Sequence, residues 1–232
     1  MITAVHSVDL RVDDLDGARS FYERVVGLED PSRLVRLMSD GVTARAPRRA
    51  AGLFHTAFRF PTRADLADAL RRAAPYLTGA SYHGVSEALY LDDPAGNGVE
   101  LYWDRPRDVW PDDMVTEPLD LQDLAAQSTG AQRAPEGTDI GHVHLKVSSL
   151  QDAEGFWVGD LGFDVMHRYG TRATFVATGG YHHHVGLNTW MSEGRELGPR
   201  EAAGLDRVVF TTDGEQREAL DPDGIRVVLE PA

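Results

Sequence analysis

A strand pattern followed by a helix pattern occurs twice in the chain, 135 residues apart. Residues 8–12 and 143–147 alternate between apolar and polar side chains, which is typical of half-buried strands. Each segment continues into a short amphipathic helix, about 15–26 in the first copy and 150–161 in the second, that ends near a glycine. We expect N-caps at the polar residues just before the two helices, Asp14 and Ser149. The recurrence predicts a repeated strand–helix unit.

A second pair of matches divides the chain into four modules. Residues 52–58 match 204–210 at an offset of 152, and the Asp-Pro-x-Gly turn at 93–96 matches that at 221–224 at an offset of 128. The last copy is therefore 24 residues shorter, and a helix predicted at about 63–74 has no good counterpart in it. The predicted modules are 4–48, 52–104, 140–192 and 203–232.

The modules predict a chain with two halves. The N-terminal half, 1–104, contains modules 1 and 2, and the C-terminal half, 140–232, contains module 3 and the shortened module 4. Residues 105–139, rich in Pro, Asp, Gln and Ala, form the predicted linker, with a helical turn expected near 118–127. A module of this kind buries one face of its sheet and therefore needs a partner module.

Composition narrows the classes of function. The 232 residues include 23 Lys and Arg against 37 Asp and Glu, and the net charge of −14 disfavours nucleic acid or an anionic membrane as main partner. There is no cysteine, which excludes disulfides, thiolate metal sites and thiol nucleophiles. A metal would have to bind to imidazole, carboxylate, phenolate or water, and nine histidines are available. Without a signal peptide or membrane-spanning pattern, a cytoplasmic protein is expected. A homo-oligomer is compatible with the sequence.

Residues 81–100 carry the most chemistry. They predict a strand, an Asp-Pro-x-Gly turn and a returning strand that carries Glu100. In such an antiparallel hairpin, Tyr90 and Glu100 can lie close together on one face. A lone carboxylate in an otherwise apolar strand costs free energy unless it is paired or binds a metal, which favours a functional role for Glu100.

At this hairpin the sequence resembles the vicinal-oxygen-chelate superfamily, and within it the extradiol (catechol 2,3-dioxygenase) branch in its two-halved bacterial form. The signature of that branch is a His, an apolar-Tyr pair, an acidic-Pro-x-Gly turn and a Glu, and the matching positions here are His83, Leu89-Tyr90, Asp93-Pro94-Ala95-Gly96 and Glu100. The one departure is Ser81, where the branch prefers Gly, Asn, Thr, Ile or Val. The resemblance covers nearly the whole chain and fades in the last module. It implies an α+β fold of four βαβββ modules, the last truncated, that form half-barrel sheets around a metal site.

The resemblance also implies a mononuclear Fe(II), with Mn, Zn or Ni as alternatives, held by two His and one carboxylate. Open positions then accept a catecholate and O2. His55 and Glu100 of module 2 match one His and the carboxylate of the family. The other His must come from a partner module, where module 1 has Ser7 and module 3 has His142 at the matching place.

Module 4 has Arg207 and Val228 where module 2 has its two ligands. The repeats therefore place the metal at His55, Glu100 and His142, provided that modules 2 and 3 share one half-barrel. His144 shares a strand face with His142 and is an alternative ligand.

The resemblance assigns proton transfer to His83 and substrate orientation to Tyr90. In addition, His182 and His184 share a strand face, and together with His144 they are candidates for the substrate pocket. The same alternation turns His183 away from them.

The predicted function is an Fe(II)-dependent extradiol dioxygenase that opens a small catechol-like or hydroquinone-like aromatic with O2. One alternative is a glyoxalase-like isomerase or epimerase, which usually needs a fourth protein ligand, commonly a second Glu. The homologous strand of module 3 has His184 and Gly186 instead. The other alternative is a non-catalytic, ligand-sequestering protein of the antibiotic-resistance type. The hairpin signature disfavours it, whereas the truncated module 4 indicates some departure from the parent activity.

Overall fold

The computed structural model describes residues 1–111 and 114–232, which form two curled sheets with helices packed between them. In chain order the strands in these residues are β1 (Ile2–Arg11), β2 (Val35–Met38), β3 (Gly52–Arg59), β4 (Leu77–Tyr82), β5 (Ser86–Asp92), β6 (Gly98–Asp104), β7 (Asp139–Lys146), β8 (Asp164–Tyr169), β9 (Ala173–Ala177), β10 (Val185–Asn188), β11 (Gly204–Thr212), β12 (Arg217–Leu220) and β13 (Arg226–Pro231). The α-helices are α1 (Leu15–Phe21), α2 (Arg63–Ala73), α3 (Leu121–Ala125) and α4 (Leu150–Glu154).

The two predicted strand–helix units are present. The side chain of Asp14 accepts the Gly17 N–H at 3.0 Å, and the Ser149 hydroxyl accepts the Asp152 N–H at 3.2 Å, so both predicted N-caps are confirmed. Each helix continues into a π-helical turn, over Tyr22–Val26 after α1 and Gly155–Asp160 after α4.

Modules 1 and 4 form a five-stranded sheet in the order β12-β13-β11-β1-β2. Module 4 runs through its three strands without a helix, as its shortened sequence predicted. Module 1 contributes only β1 and β2 to the described sheet, because residues 39–51 lack strand alternation and form a loop with isolated bridges at Ala44 and Ala51.

Modules 2 and 3 form an eight-stranded sheet in the order β4-β5-β6-β3-β7-β10-β9-β8. The two modules meet where β3 runs antiparallel to β7, with Thr56 opposite Val143. Strands β3 and β6, like β7 and β10, are parallel neighbours. This is the pairing of modules 2 and 3 that the predicted metal site requires.

The apolar faces of both sheets contribute to one continuous cluster of buried side chains, together with the helices. Trp157 packs edge-on against Phe210 of the five-stranded sheet, with ring centroids 5.7 Å apart, and Tyr22 packs on Phe58 of the eight-stranded sheet at 6.0 Å. Each large side chain buried in this way stabilises the fold by about 1.5–3 kcal/mol. The opposite face of the eight-stranded sheet is thereby left free to carry polar groups.

Between residues 105 and 139 the described chain contains α3, which lies inside the predicted helical turn at 118–127. Its neighbouring residues are fixed by Asp68 of α2, whose carboxylate accepts hydrogen bonds from Ser128 and Thr129 at 2.5 and 2.6 Å. No helix in 1–111 or 114–232 is both long enough and apolar enough to cross a membrane.

Candidate metal centre

Three buried side chains converge at the middle of the eight-stranded sheet. Glu100 Oε2 lies 2.8 Å from Nε2 of His55 and 3.2 Å from Nε2 of His142. One ligand atom from each residue can be chosen so that all three lie within 4.8 Å of one another. Within the described ranges, this is the only group of three or more His, Cys, Asp or Glu that meets that limit.

Strand register explains why these residues meet. Ala57 of β3 pairs with Glu100 of β6 on one side and with His142 of β7 on the other. Residues paired in this way share a sheet face, and His55, two residues before Ala57, lies on the same face. Ala57 is fully buried, and its methyl group leaves room above the sheet for the three larger side chains.

The charge states of the cluster suit a metal. Burial lowers the pKa of His142 to about 4 even though Glu100 opposes this shift, so the imidazole is neutral near pH 7. Burial alone would raise the pKa of Glu100, but the neighbouring His142 and His55 hold it well below its usual range. A neutral imidazole and an ionised carboxylate are the forms that bind divalent metals.

The residues fit a divalent cation. Nε2 of His55 and Nδ1 of His142 are buried and have no hydrogen-bond partner among the described residues, because the contact between His55 and Glu100 is close but poorly angled. An unpaired buried polar atom costs about 1–3 kcal/mol. A cation between the imidazole nitrogens and the carboxylate would remove part of that cost. Two imidazoles and one carboxylate on one face are typical of non-haem Fe(II) sites with open positions.

The cluster lies in the wall of a cavity of about 780 Å³. Apolar and aromatic side chains contribute to the lining beside the polar ones, among them Phe54, Leu91, Phe175 and Trp190. Pockets that bind small organic molecules commonly combine such apolar walls with a few polar groups.

His83 and Tyr90 lie in the same cavity and contact each other. Nδ1 of His83 is 2.9 Å from the carbonyl oxygen of Val115, which can only accept, so Nδ1 carries the proton in the neutral ring. Nε2 then accepts from the Tyr90 hydroxyl at 2.7 Å. Burial and the nearby Glu100 raise the pKa of Tyr90 well above 10, so the phenol stays protonated. Tyr90 pairs directly with Glu100 across β5 and β6, which confirms the predicted hairpin contact.

His144 also lines the cavity but lies outside the three-residue cluster. Its ring centroid is 5.0 Å from that of His55, and its buried Nε2 has no partner among the described residues. Its neighbour across the sheet is Gly186, which occupies in module 3 the place of Glu100 in module 2. A Cβ at Gly186 would lie 2.8 Å from the His144 ring, so the ring occupies the space of a second carboxylate.

The three consecutive histidines differ from the sequence prediction. They precede β10 rather than belonging to it, so strand alternation does not apply to them. His183, predicted to turn away, lines the cavity with its ring centroid 4.1 Å from that of His142; that prediction is wrong. His182 and His184, the predicted pocket residues, are absent from the described lining: His182 contacts Asp104 at 2.8 Å, and His184 lines a second cavity of about 350 Å³. The run of histidines was the only sequence signal for His183.

Comparisons with known proteins agree with this architecture. The catechol-2,3-dioxygenase of Bacillus subtilis (strain 168) is 36% identical over 245 aligned residues, which cover 94% of this chain and 85% of that protein. A putative dioxygenase from Bacillus subtilis aligns in structure with a TM-score of 0.67 at 12% identity, over 98% of this chain and 84% of that one. Glyoxalase I from Zea mays aligns with a TM-score of 0.60 at 15% identity, over 98% and 92%. At these identities the two structures show a shared fold. No family model matches the chain.

Repeated βαβββ modules that build curled half-barrel sheets define the fold of the vicinal-oxygen-chelate superfamily. The chain belongs to that superfamily and, within it, to the family of the Bacillus subtilis catechol-2,3-dioxygenase. The predicted fold class and family are therefore confirmed, as is an extradiol-dioxygenase-like function at the level of a metal-dependent superfamily.

Proposed function

We propose that the protein is an Fe(II)-dependent extradiol dioxygenase that cleaves a small catechol-like aromatic with O2. The observation that carries this proposal is the buried set of two imidazoles and one carboxylate in the wall of an aromatic-lined cavity. The relationship to a protein named catechol-2,3-dioxygenase supports the reaction class.

His55, Glu100 and His142 would hold the iron, for which Mn, Zn and Ni are the alternatives. When bound, the metal supplies a centre at which both vicinal oxygens of the aromatic and O2 can be held together.

The side chains around the centre supply proton transfer and orientation. The lone pair on Nε2 of His83 takes the proton of a substrate hydroxyl, because Nδ1 keeps its own proton on the Val115 carbonyl. Tyr90, whose phenol stays protonated, then donates its hydrogen bond to a substrate oxygen. The rings of Phe54, Phe175 and Trp190 exclude water and suit a flat substrate.

A glyoxalase-like isomerase has less support. Such an enzyme usually needs a second carboxylate, and the equivalent place on β10 is Gly186 against the His144 ring. A metal-free sequestering protein would leave the buried Glu100 and the unpaired imidazole nitrogens without a role.

The test is to load the protein anaerobically with Fe(II), then add catechol and O2. We expect oxygen uptake and a yellow ring-cleavage product, both lost in His142→Ala. The matched control is His6→Ala, an exposed histidine in the five-stranded sheet. Iron binding without oxygen uptake on any of several substituted catechols and hydroquinones would contradict the proposal, and so would full activity in His142→Ala.

A further inference from the structure

A half-buried aspartate and two buried histidines form a hydrogen-bonded chain that runs from the end of β6 to the cavity. Oδ1 of Asp104 lies 2.8 Å from Nε2 of His182, and Nδ1 of His182 lies 2.7 Å from Nδ1 of His183. His183 lines the cavity and packs against the ring of His142. The chain therefore links Asp104, which does not line the cavity, to a side chain that does.

The carboxylate of Asp104 is held in place by Tyr181 and Arg59 as well as by His182. The Tyr181 hydroxyl donates to Oδ2 at 2.7 Å, and the Arg59 guanidinium lies 3.5 Å from the same oxygen. Burial would raise the pKa of Asp104, but the contacts with His182, Tyr181 and Arg59 lower it below its usual range. Its Oδ1 is therefore an acceptor aimed at His182.

The Asp104 carboxylate, an acceptor at one end, sets the direction of both hydrogen bonds between these three side chains. A carboxylate oxygen can only accept, so Nε2 of His182 carries the proton. In a neutral ring Nδ1 of His182 is then a lone pair, and Nδ1 of His183 must be the donor between the two rings. This leaves the lone pair of His183 on Nε2.

We propose that Asp104 is a positioning residue of the active site: acting through His182, it holds His183 in the Nδ1–H tautomer so that Nε2 offers an acceptor to the cavity. That this acceptor binds a hydroxyl of the aromatic substrate rests on the proposed function. The tautomer of His183 does not depend on the proposed function. The arrangement follows the logic by which a buried carboxylate orients a histidine in other active sites.

The substitution Asp104→Asn tests the direction of the hydrogen bonds that link residue 104 to His182 and His183. Tyr181 and Arg59 are donors on the Oδ2 side, so the amide oxygen of Asn is expected to stay there and the NH₂ group to face His182. His182 would then accept at Nε2 and donate from Nδ1, which forces His183 into the opposite, Nε2–H tautomer. The matched control is Asp139→Asn, since Asp139 also binds Arg59 but has no contact with His182.

The readout is the set of ¹⁵N imidazole chemical shifts of histidine-labelled full-length protein, with and without the diamagnetic ion Zn²⁺. His183 is assigned from the signals that disappear in His183→Gln. We expect the Nδ1–H tautomer in the parent protein and in Asp139→Asn, and the Nε2–H tautomer in Asp104→Asn. An Nε2–H tautomer in the parent protein would overturn the proposal even if Asp104→Asn failed to fold, and so would an unchanged tautomer in a folded Asp104→Asn.

Measurements of turnover distinguish a failure of the positioning role from a failure of the proposed dioxygenase reaction. In the iron-loaded enzyme, Asp104→Asn should lower kcat by about 10–100-fold, the usual effect of removing a group that orients an active-site histidine, while Asp139→Asn stays within a few-fold. If the protein shows the predicted tautomers but cleaves no catechol, the positioning role of Asp104 stands and the dioxygenase function is rejected. A cleaving enzyme in which Asp104→Asn keeps full kcat would reject the positioning role alone.

Discussion

At the scale of single residues, the site depends on one carboxylate shared by two imidazoles. Oε2 of Glu100 is the atom closest to both His55 and His142, and all three side chains are buried. Burying a charge is expensive unless opposite charge or a metal compensates it. Glu100 is therefore the residue on which the affinity for a cation should depend most.

We predict that Glu100→Gln lowers the iron content of the purified, Fe(II)-loaded protein by at least about tenfold, because the amide keeps the shape but not the charge. Metal analysis after gel filtration measures this. The control is Glu87→Gln, a second carboxylate in the same sheet that pairs with Arg63 at 2.8 Å outside the metal cluster. Iron retained at the parent level in Glu100→Gln would argue for another ligand set.

Of the three consecutive histidines, His183 alone lines the larger cavity among the residues that the structure describes. His183→Gln should therefore lower kcat/KM for ring cleavage by about 100-fold, the lower end of the range typical of groups that assist proton transfer. The adjacent His184→Gln should change it by less than about threefold, since His184 lines the smaller cavity. Steady-state kinetics on iron-loaded variants distinguishes the two. Equal losses would show that the whole segment acts as a unit.

Residues on strands could be predicted because a strand has a fixed period of two and the repeats fix its register. His55, Glu100 and His142 all lie on strands, and the offset of 135 residues from Ser7 identified the position of His142. His183 could not be predicted in this way. It follows Gly179 and Gly180, which have φ of 62° and 70°, and such a turn has no periodicity that assigns a side chain to a face.

At the scale of elements, the seam between β3 and β7 relates the two modules by an approximate twofold axis. The axis passes near the pair of Thr56 and Val143, so that His55 and His142 occupy equivalent places. Glu100 on β6 and Gly186 on β10 are also equivalent, because each pairs with the residue two positions after the candidate histidine ligand of its module: Glu100 with Ala57, and Gly186 with His144. The symmetry is broken at the carboxylate, which leaves the site with a single Glu.

Gly186 should be intolerant of even a methyl group. Its Cβ would lie 2.8 Å from the buried ring of His144, which is enclosed by neighbouring aromatic side chains. We predict that Gly186→Ala lowers the free energy of unfolding by about 1–3 kcal/mol, the usual cost of overpacking. Gly155→Ala is the control, since nothing lies within 4 Å of its Cβ position in the helical segment. Urea unfolding should show Gly155→Ala to be neutral or slightly stabilising, and equal losses in both variants would contradict this explanation.

At the scale of the whole molecule, the two sheets are built from related modules, but within the described residues only one sheet carries a cluster that could hold a metal ion. In the five-stranded sheet, Ser7, Arg207 and Val228 occupy the places of the three candidate ligands, and Arg207 instead binds the buried Asp9 at 2.7 Å. The repeat offsets were sufficient to predict this division of roles. They could not predict that module 1 ends its sheet after β2, because the matches between copies do not extend over residues 39–51, which lack strand alternation and form a loop.

The repeated Asp-Pro-x-Gly turn differs between the sheets in a way that affects the stability of the whole molecule. In module 2, Oδ2 of Asp93 accepts from Tyr22 and Asn97 at 3.1 and 3.0 Å. In module 4, Oδ1 of Asp221 accepts the Ile225 N–H at 2.8 Å, but its buried Oδ2 has no hydrogen-bond partner in the described chain. Burial raises the pKa of Asp221 to about 7, with the nearby Asp223 adding to the shift and the Ile225 N–H opposing it.

Asp221 should therefore make the protein less stable as the pH rises. Because its pKa is raised in the folded state, the folded state binds the proton more tightly between about pH 4 and 7. The resulting stabilisation is fully present below the unfolded pKa and is lost as the pH rises through about 7. Asp221→Asn keeps the acceptor for Ile225 but cannot ionise. Its free energy of unfolding relative to the parent protein should then increase by about 2–3 kcal/mol between pH 5 and pH 8, at up to about 1.4 kcal/mol per pH unit.

Urea unfolding at several pH values measures that difference, and comparison with the parent protein at each pH cancels the titration of all other groups. The exposed Asp13→Asn is the control, because it removes the same formal charge from a solvated position. If the difference between Asp221→Asn and the parent protein were constant from pH 5 to pH 8, the proton would not be bound at Asp221. A gain of the same size in Asp13→Asn would instead trace the effect to the net charge of −14, because relief of general repulsion does not depend on burial.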